Sequence, residues 1–230
     1  MAEGVRTVEE LLRSPITVNS ALIGPQLRDS PRGAELLATL SARGVPIEEV
    51  ESAEFESAAE TESPQGALAV GVVPPLTLQQ LPAADRARFL VLDAVQDPGN
   101  VGTIIRTSAA FGASATIALP GTVDLWNAKV VRSAMGAHFH HPCLSSTWDE
   151  LDTFRHDRSI SIWGADASGD AIDGLDRPAR VALVVGNEGG GLSSMSRERA
   201  DHLVSLPISA VVESLNVAVA AGILLYELRR

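Results

Sequence analysis

The chain is poor in cysteine and almost devoid of lysine. Cys143 is the only cysteine among 230 residues. One thiol can close no internal disulfide and build no cysteine-based zinc site. That usage fits a reducing, cytoplasmic setting. Lys129 is the only lysine, so basic charge is carried by arginine, the better residue for bidentate phosphate contacts. No apolar run approaches the roughly 18 residues that span a bilayer. The start, "MAEGVRTVEE", lacks the basic head and apolar core of a signal peptide. No membrane partner is expected. Neither the dinucleotide spacing G-x-G-x-x-G nor a Gly-Lys-Ser/Thr phosphate loop is present. A nucleotide-binding or dehydrogenase domain therefore ranks last.

What is there is acidic. The net charge is −11, which in bulk argues against a nucleic-acid partner. Local arginine clusters can still override the bulk value. The hydrophobic share of 45% is enough for a core, in one large domain or two small ones.

Two regions differ in pattern. In the first, "TVEELLRS" and "PRGAELLATLSARG" read as amphipathic helices, the second stopped by Gly44, and "VPIEEV" and "GALAVGVV" as short strands. Its acidic run "EEVESAEFESAAETE" reads as a solvated face. Residues 1–84 hold 5 Arg and 12 Asp plus Glu, a charge of −7. A proline-bearing stretch, "VPPLTLQQLPAADRA", reads as a linker, with the boundary near 73–87. Beyond it, "RFLVLDAV", "ATIALP", "SISIWGAD", "VALVVGN" and "HLVSLPI" read as short buried strands. "VGTIIRTSAAFG", "DLWNAKVVRSAMG", "WDELDTFRHD" and "SLNVAVAAGILLYELRR" read as helices. This alternation implies an α/β fold with a mostly parallel sheet covered on both faces.

Three stretches carry candidate chemistry. In "DPGNVGTIIRTSAAFGA" (97–113), Asn100 reads as a helix N-cap. Val101, Ile104, Ile105 and Ser108 form the buried stripe, and Arg106 lies on another face. Gly102, one turn before Arg106, leaves room for a ligand or another backbone. Alone, the stretch also fits a plain capped helix with a surface arginine. In "VALVVGNEGGGLSS" (181–194) a buried strand runs into a glycine cluster. Glu188 would repel phosphates and suits a ligand that offers donors; a tight strand-to-helix turn is the plain alternative. In "SLPISAVVESLNVAVAAGILLYELRR" (205–230), Ser214 reads as an N-cap with Asn216 in the first turn of a helix apolar on nearly every side. The histidines of "HFHH" (138–141) have no carboxylate or cysteine to complete a metal set, so no metal is expected. On a strand, His138 and His140 would share a face and His141 would oppose them.

Taken together and in order, the three stretches resemble the motifs of the SpoU, or TrmH-like, RNA methyltransferases of the SPOUT superfamily. "EGVRTVEELL" and "TESPQGALAV" resemble the L30e-like substrate-binding domain often fused in front. The resemblance implies residues 1–75 as that RNA-binding domain and 85–230 as a methyltransferase domain with a deep C-terminal trefoil knot, a rare topology. It implies S-adenosylmethionine as cofactor, a homodimer, and methyl transfer to a ribose 2′-hydroxyl, with ribosomal RNA ahead of transfer RNA. By position, Asn100, Arg106, Glu188, Ser214 and Asn216 become the catalytic set, and Gly186, Leu206, Ile208 and Leu215 the cofactor contacts. Two departures stand out. Ile208 and Ala210 occupy loop positions where the family often has Met and Gly, and Ala is unfavourable if φ must be positive. A strand usually precedes "EGVRTVEE", so the first domain is expected to be trimmed at its start. The competing function is a non-catalytic RNA-binding or ribosome-assembly protein on the same fold.

Overall fold

The computed structural model describes residues 1–229. It divides into two compact units: Met1–Pro75 with Met135–His140, and Leu76–Ala134 with His141–Arg230.

The first unit is built on strands β1 (Ala2–Glu3), β2 (Thr17–Ile23), β3 (Ile47–Glu49) and β4 (Ala67–Val72), in the order β1-β4-β2-β3. A two-residue strand, β1, does precede the first helix. It pairs antiparallel with β4, Ala2 opposite Ala69. Helix α1 (Val5–Arg13) buries Val5, Val8, Leu11 and Leu12. Helix α2 (Pro31–Ala42) starts where the Ser30 hydroxyl accepts the Gly33 amide and Pro31 supplies a preset φ. The acidic run is not solvated throughout. It contains the end of β3 and helix α3 (Ser52–Ala58), and Phe55 anchors α3 at 0% exposure.

The second unit holds a six-stranded, fully parallel sheet. Its strands are β5 (Ala87–Leu92), β6 (Ala115–Ala118), β7 (Cys143–Ser145), β8 (Ser161–Ala171), β9 (Arg180–Val185) and β10 (His202–Ser205), in the order β10-β8-β9-β5-β6-β7. Alternation along β5 divides the core. Leu90 and Leu92 face helices α4 (Pro98–Ala110) and α8 (Val217–Leu228) through Ile104, Ile105, Leu224 and Leu225. Phe89 and Val91 face helix α6 (Trp148–Arg158) through Leu151 and Phe154. Helices α5 (Ala128–Ser133) and α7 (Ser194–Arg199) complete the unit. The stretch expected to be a linker is anchored: Leu78 and Leu81 are buried in the core beneath α6. The helix read in "DLWNAKVVRSAMG" shrinks to α5, because Met135 and Gly136 both take positive φ and end it.

The histidines are arranged differently from the strand expectation. Residues 137–139 form one 3₁₀ turn, with His138 buried. His140 lies 3.6 Å from Glu10. His141 is buried with its Nε2 2.9 Å from the Thr116 hydroxyl, and burial lowers its pKa to about 4. Among the described residues no three His, Cys, Asp or Glu side chains group as metal ligands.

Candidate functional site

The carboxyl ends of β8, β9 and β10 open into a cavity of about 560 Å³. This is where open α/β sheets commonly hold ligands. Gly186, Glu188, Leu206, Ile208, Ser214, Leu215 and Asn216 all line it. The cofactor contacts expected from the sequence thus share one cavity.

The glycine loop is shaped by Asn187. Its side-chain oxygen accepts the Gly189 and Gly190 amides at 2.9 and 3.0 Å, and its amide donates to the Ala94 carbonyl. Asn187 and Gly191 exchange both backbone hydrogen bonds. Gly191 takes a φ of +66°, and a Cβ on Gly186 would lie 2.2 Å from the Gly191 carbonyl carbon. Neither position accepts a side chain without moving the loop. Beneath the loop, Asp93 is buried at the end of β5. It accepts the Ser193 amide at 2.7 Å and the hydroxyl of buried Ser196.

Asn100 is not the cap of α4. Asp97 is, accepting the Asn100 amide at 2.8 Å. The Asn100 side chain is left for longer-range work. Its amide donates to Glu188 at 3.1 Å, and its oxygen accepts from the Asn216 amide at 3.0 Å. Asn216 in turn caps α8, accepting the Ala218 and Val219 amides, the role expected of Ser214. Ser214 lines the cavity instead. Three distant stretches of chain therefore meet at one asparagine.

Glu188 also accepts the Gln96 and Asp97 amides at 3.4 and 3.2 Å. Burial pushes its carboxyl up, but hydrogen bonds from backbone amides and from Asn100 outweigh that and hold its pKa below the ordinary value of 4.5.

Arg106 sits apart from this group. It is exposed on α4, with Thr103 and Ala110, and has no hydrogen bond or ion pair among the described residues. Six residues of helix separate it from Asn100, a rise of about 9 Å. Gly102 gives it no room. A Cβ there would lie 2.4 Å from the Ser133 side chain and 2.6 Å from the Val130 carbonyl, so the space belongs to α5. Ala210 carries no strain, since positive φ among non-glycine residues falls on Ala94, Met135 and Ser159.

Sequence reasoning passed over Asp166 and Arg197, which pair across the cavity wall. Ser168 also donates to Asp166 from its amide and hydroxyl at 2.9 and 2.6 Å. Burial opposes charge on Asp166, yet these partners keep its pKa below the ordinary aspartate value. An acid closing the apolar run "SISIWGAD" was the available signal.

Residues 87–226 match the model of the SpoU rRNA Methylase family, and residues 1–73 match that of RNA 2′-O ribose methyltransferase substrate binding. Among curated relatives, the Bacillus subtilis (strain 168) protein "23S rRNA (guanosine(2553)-2′-O)-methyltransferase RlmP" is 38% identical over 100% of this chain and 88% of its own length. Among solved structures, the SpoU methyltransferase AviRb from Streptomyces viridochromogenes in complex with AdoMet superposes with a TM-score of 0.88 at 29% identity. That match covers 99% of this chain and 88% of AviRb. The AdoMet-bound rRNA methyltransferase from Sinorhizobium meliloti gives 0.87 at 28% identity, covering 100% of this chain and 86% of its own.

Proposed function

The chain belongs to the SpoU rRNA methylase family, and we propose that the site built around Asn100 performs S-adenosylmethionine-dependent methyl transfer to a ribose 2′-hydroxyl of ribosomal RNA. The observation that carries this reading is the hydrogen-bonded line Glu188–Asn100–Asn216, which ties all three motif stretches together at the cavity mouth. A non-catalytic protein on the same fold has no need of it.

The cavity suits the cofactor's chemistry. Leu206, Ile208 and Leu215 offer an apolar wall for a flat base. The carboxylates of Asp166, Glu188 and Glu213 line the same space, able to accept from hydroxyls and to attract a cation. Gly186 and the loop after it allow close backbone approach. S-adenosylmethionine, when bound, supplies a methyl group activated on a positive sulfur.

The protein's task is then to orient a neutral, weakly nucleophilic hydroxyl. Positioning of this kind supplies up to about 7–11 kcal/mol in ideal intramolecular cases. Asn100, fixed on both sides, holds the cavity mouth open and aligned. Glu188 is already committed to three donors, Gln96, Asp97 and Asn100, and stays ionised, so it fixes geometry and does not collect the hydroxyl proton. Arg106, exposed and without a partner among the described residues, acts as a permanent cation. It holds an RNA phosphate and steadies the negative charge that develops on the attacking oxygen as the hydroxyl proton passes to solvent water and the methyl–sulfur bond breaks.

Residues 1–75 serve as the substrate-binding domain, residues 85–230 as the knotted methyltransferase domain, and the protein works in the cytoplasm as a homodimer. Val219 and Ile223, one turn apart on α8, are exposed apolar side chains that a second copy would cover, and Val211 and Val212 before the helix are exposed as well.

The test is the pH–rate profile of Arg106→Ala beside the wild type, with labelled methyl transfer to an unmodified 23S rRNA transcript. The expected outcome is a rate about 10²–10³ lower at every pH, with the shape of the profile kept and cofactor binding by calorimetry unchanged. Loss of the alkaline limb in Arg106→Ala would make Arg106 the base instead. A normal rate would remove it from the site.

A further inference from the structure

At the opposite end of the parallel sheet three arginines gather, none of them paired with a carboxylate among the described residues. Arg88 stands at the start of β5, half-buried, with Nη1 3.5 Å from the Leu228 carbonyl at the end of α8. Arg86 and Arg229 are exposed beside it. Burial, together with the charges of Arg86 and Arg229, lowers the pKa of Arg88 from its ordinary value. The Arg229 guanidinium lies 4.8 Å from the Tyr226 ring centre and 5.7 Å from that of Phe111. Those two rings meet edge to face at 5.7 Å.

Four other arginines of this unit show the reverse. Arg155, Arg177, Arg197 and Arg199 each pair with a carboxylate. Asp85, the acid nearest in sequence, lies toward Arg180. In a chain of net charge −11, carboxylates are abundant. Like charges held together cost free energy that an anion would recover. Cations interleaved with aromatic rings match single-stranded nucleic acid, whose phosphates take the charge and whose bases stack.

We propose that Arg86, Arg88 and Arg229, with Phe111 and Tyr226, form a docking surface for a single-stranded segment of the substrate RNA. The surface deepens the ribosomal-RNA reading and rests on it. Helix α4 links the two ends of the sheet. From Asn100 at the site to Ala110 beside the cluster it rises about 15 Å. Thr103, Arg106 and Ala110 are exposed along that path. An RNA strand held at the cluster passes Arg106 on its way to the cavity.

The test compares wild type with Arg86→Gln/Arg229→Gln in filter binding to an unmodified 23S rRNA transcript from 50 to 200 mM KCl. Labelled methyl transfer, calorimetry with S-adenosylmethionine and sedimentation are run on both. The double variant should bind RNA about tenfold more weakly at low salt, with a log–log salt slope shallower by about 0.7 for each arginine removed. Cofactor affinity and sedimentation should match the wild type. Arg86→Lys/Arg229→Lys should restore the slope, and Arg86→Gln alone should give half the change. An unchanged affinity and slope overturns the surface. A changed sedimentation coefficient overturns it too, by assigning the cluster to a contact between subunits. A wild type that takes no RNA overturns both the surface and the reading beneath it. A wild type that binds and methylates while the variant does so equally well leaves the reading standing and sinks the surface alone.

Discussion

At the carboxyl ends of the parallel strands carboxylates predominate, and Asp93, Asp166 and Glu188 are each held by two or more donors, Arg197 among them. At the amino end of β5 they are guanidiniums, and Arg86, Arg88 and Arg229 have no carboxylate among the described residues. The satisfied end can be rigid before anything binds. Its loop is closed by its own hydrogen bonds, and Gly186 is held against the backbone of Gly191 and Leu192. The unsatisfied end is incomplete until an anion arrives. One sheet thus separates a small preorganised cavity from an open electrostatic surface.

The strongest way to break this contrast is Gly186→Ala. The added methyl would press on the Gly191 carbonyl carbon at 2.2 Å, against backbone that cannot turn aside as a side chain does. Overpacking of this kind costs up to about 3 kcal/mol. Cofactor affinity by calorimetry should fall about a hundredfold, while RNA affinity in filter binding stays at the wild-type value. Wild-type cofactor affinity in this variant would show that the loop is adaptable and that preorganisation is not its purpose.

A smaller effect sharpens it. Ser196→Ala removes one of the two hydrogen bonds on buried Asp93. A charged hydrogen bond of this type contributes about 1.5–3 kcal/mol. Chemical denaturation should register that loss in global stability. Arg86→Gln should stay within about 0.5 kcal/mol of the wild type, since it is exposed at the end not yet satisfied. Equal destabilisation by the two would erase the distinction between a built site and a waiting surface.

The parts legible in the sequence were those set by local periodicity. The stripe Val101, Ile104, Ile105 and Ser108 is fully buried, and the parallel sheet follows from alternation of apolar runs with helices. Caps were harder. Asn100 and Asp97 are both good capping residues three positions apart. Only the tertiary partners Glu188 and Asn216 decide that Asn100 is spent elsewhere. Gly102 was ambiguous for a similar reason: a missing side chain marks close approach without saying of what, and of the two alternatives, a ligand or another backbone, the backbone of α5 is the neighbour. The arginine cluster had no signal at all. Arg88 and Arg229 lie some 140 residues apart and meet only because α8 returns antiparallel to β5.

The smallest expected effect separates the two ends by the variable each responds to. A carboxyl whose pKa is lower folded than unfolded adds stability above the unfolded value and loses it as pH falls through the folded one. Glu188 lies below 4.5 and Asp166 below 3.8. Cofactor affinity by calorimetry should therefore be flat from pH 7 to pH 5 and weaken only below the ordinary carboxylate range. Over the same interval the guanidiniums of the opposite end do not change charge. RNA affinity should be insensitive to pH there and steeply sensitive to salt. The cavity, small and partly shielded, should show the weaker salt dependence. Cofactor affinity that falls between pH 7 and pH 5 would place a titrating group in the cavity other than these carboxylates, and the contrast between a satisfied end and an unsatisfied one would have to be redrawn around it.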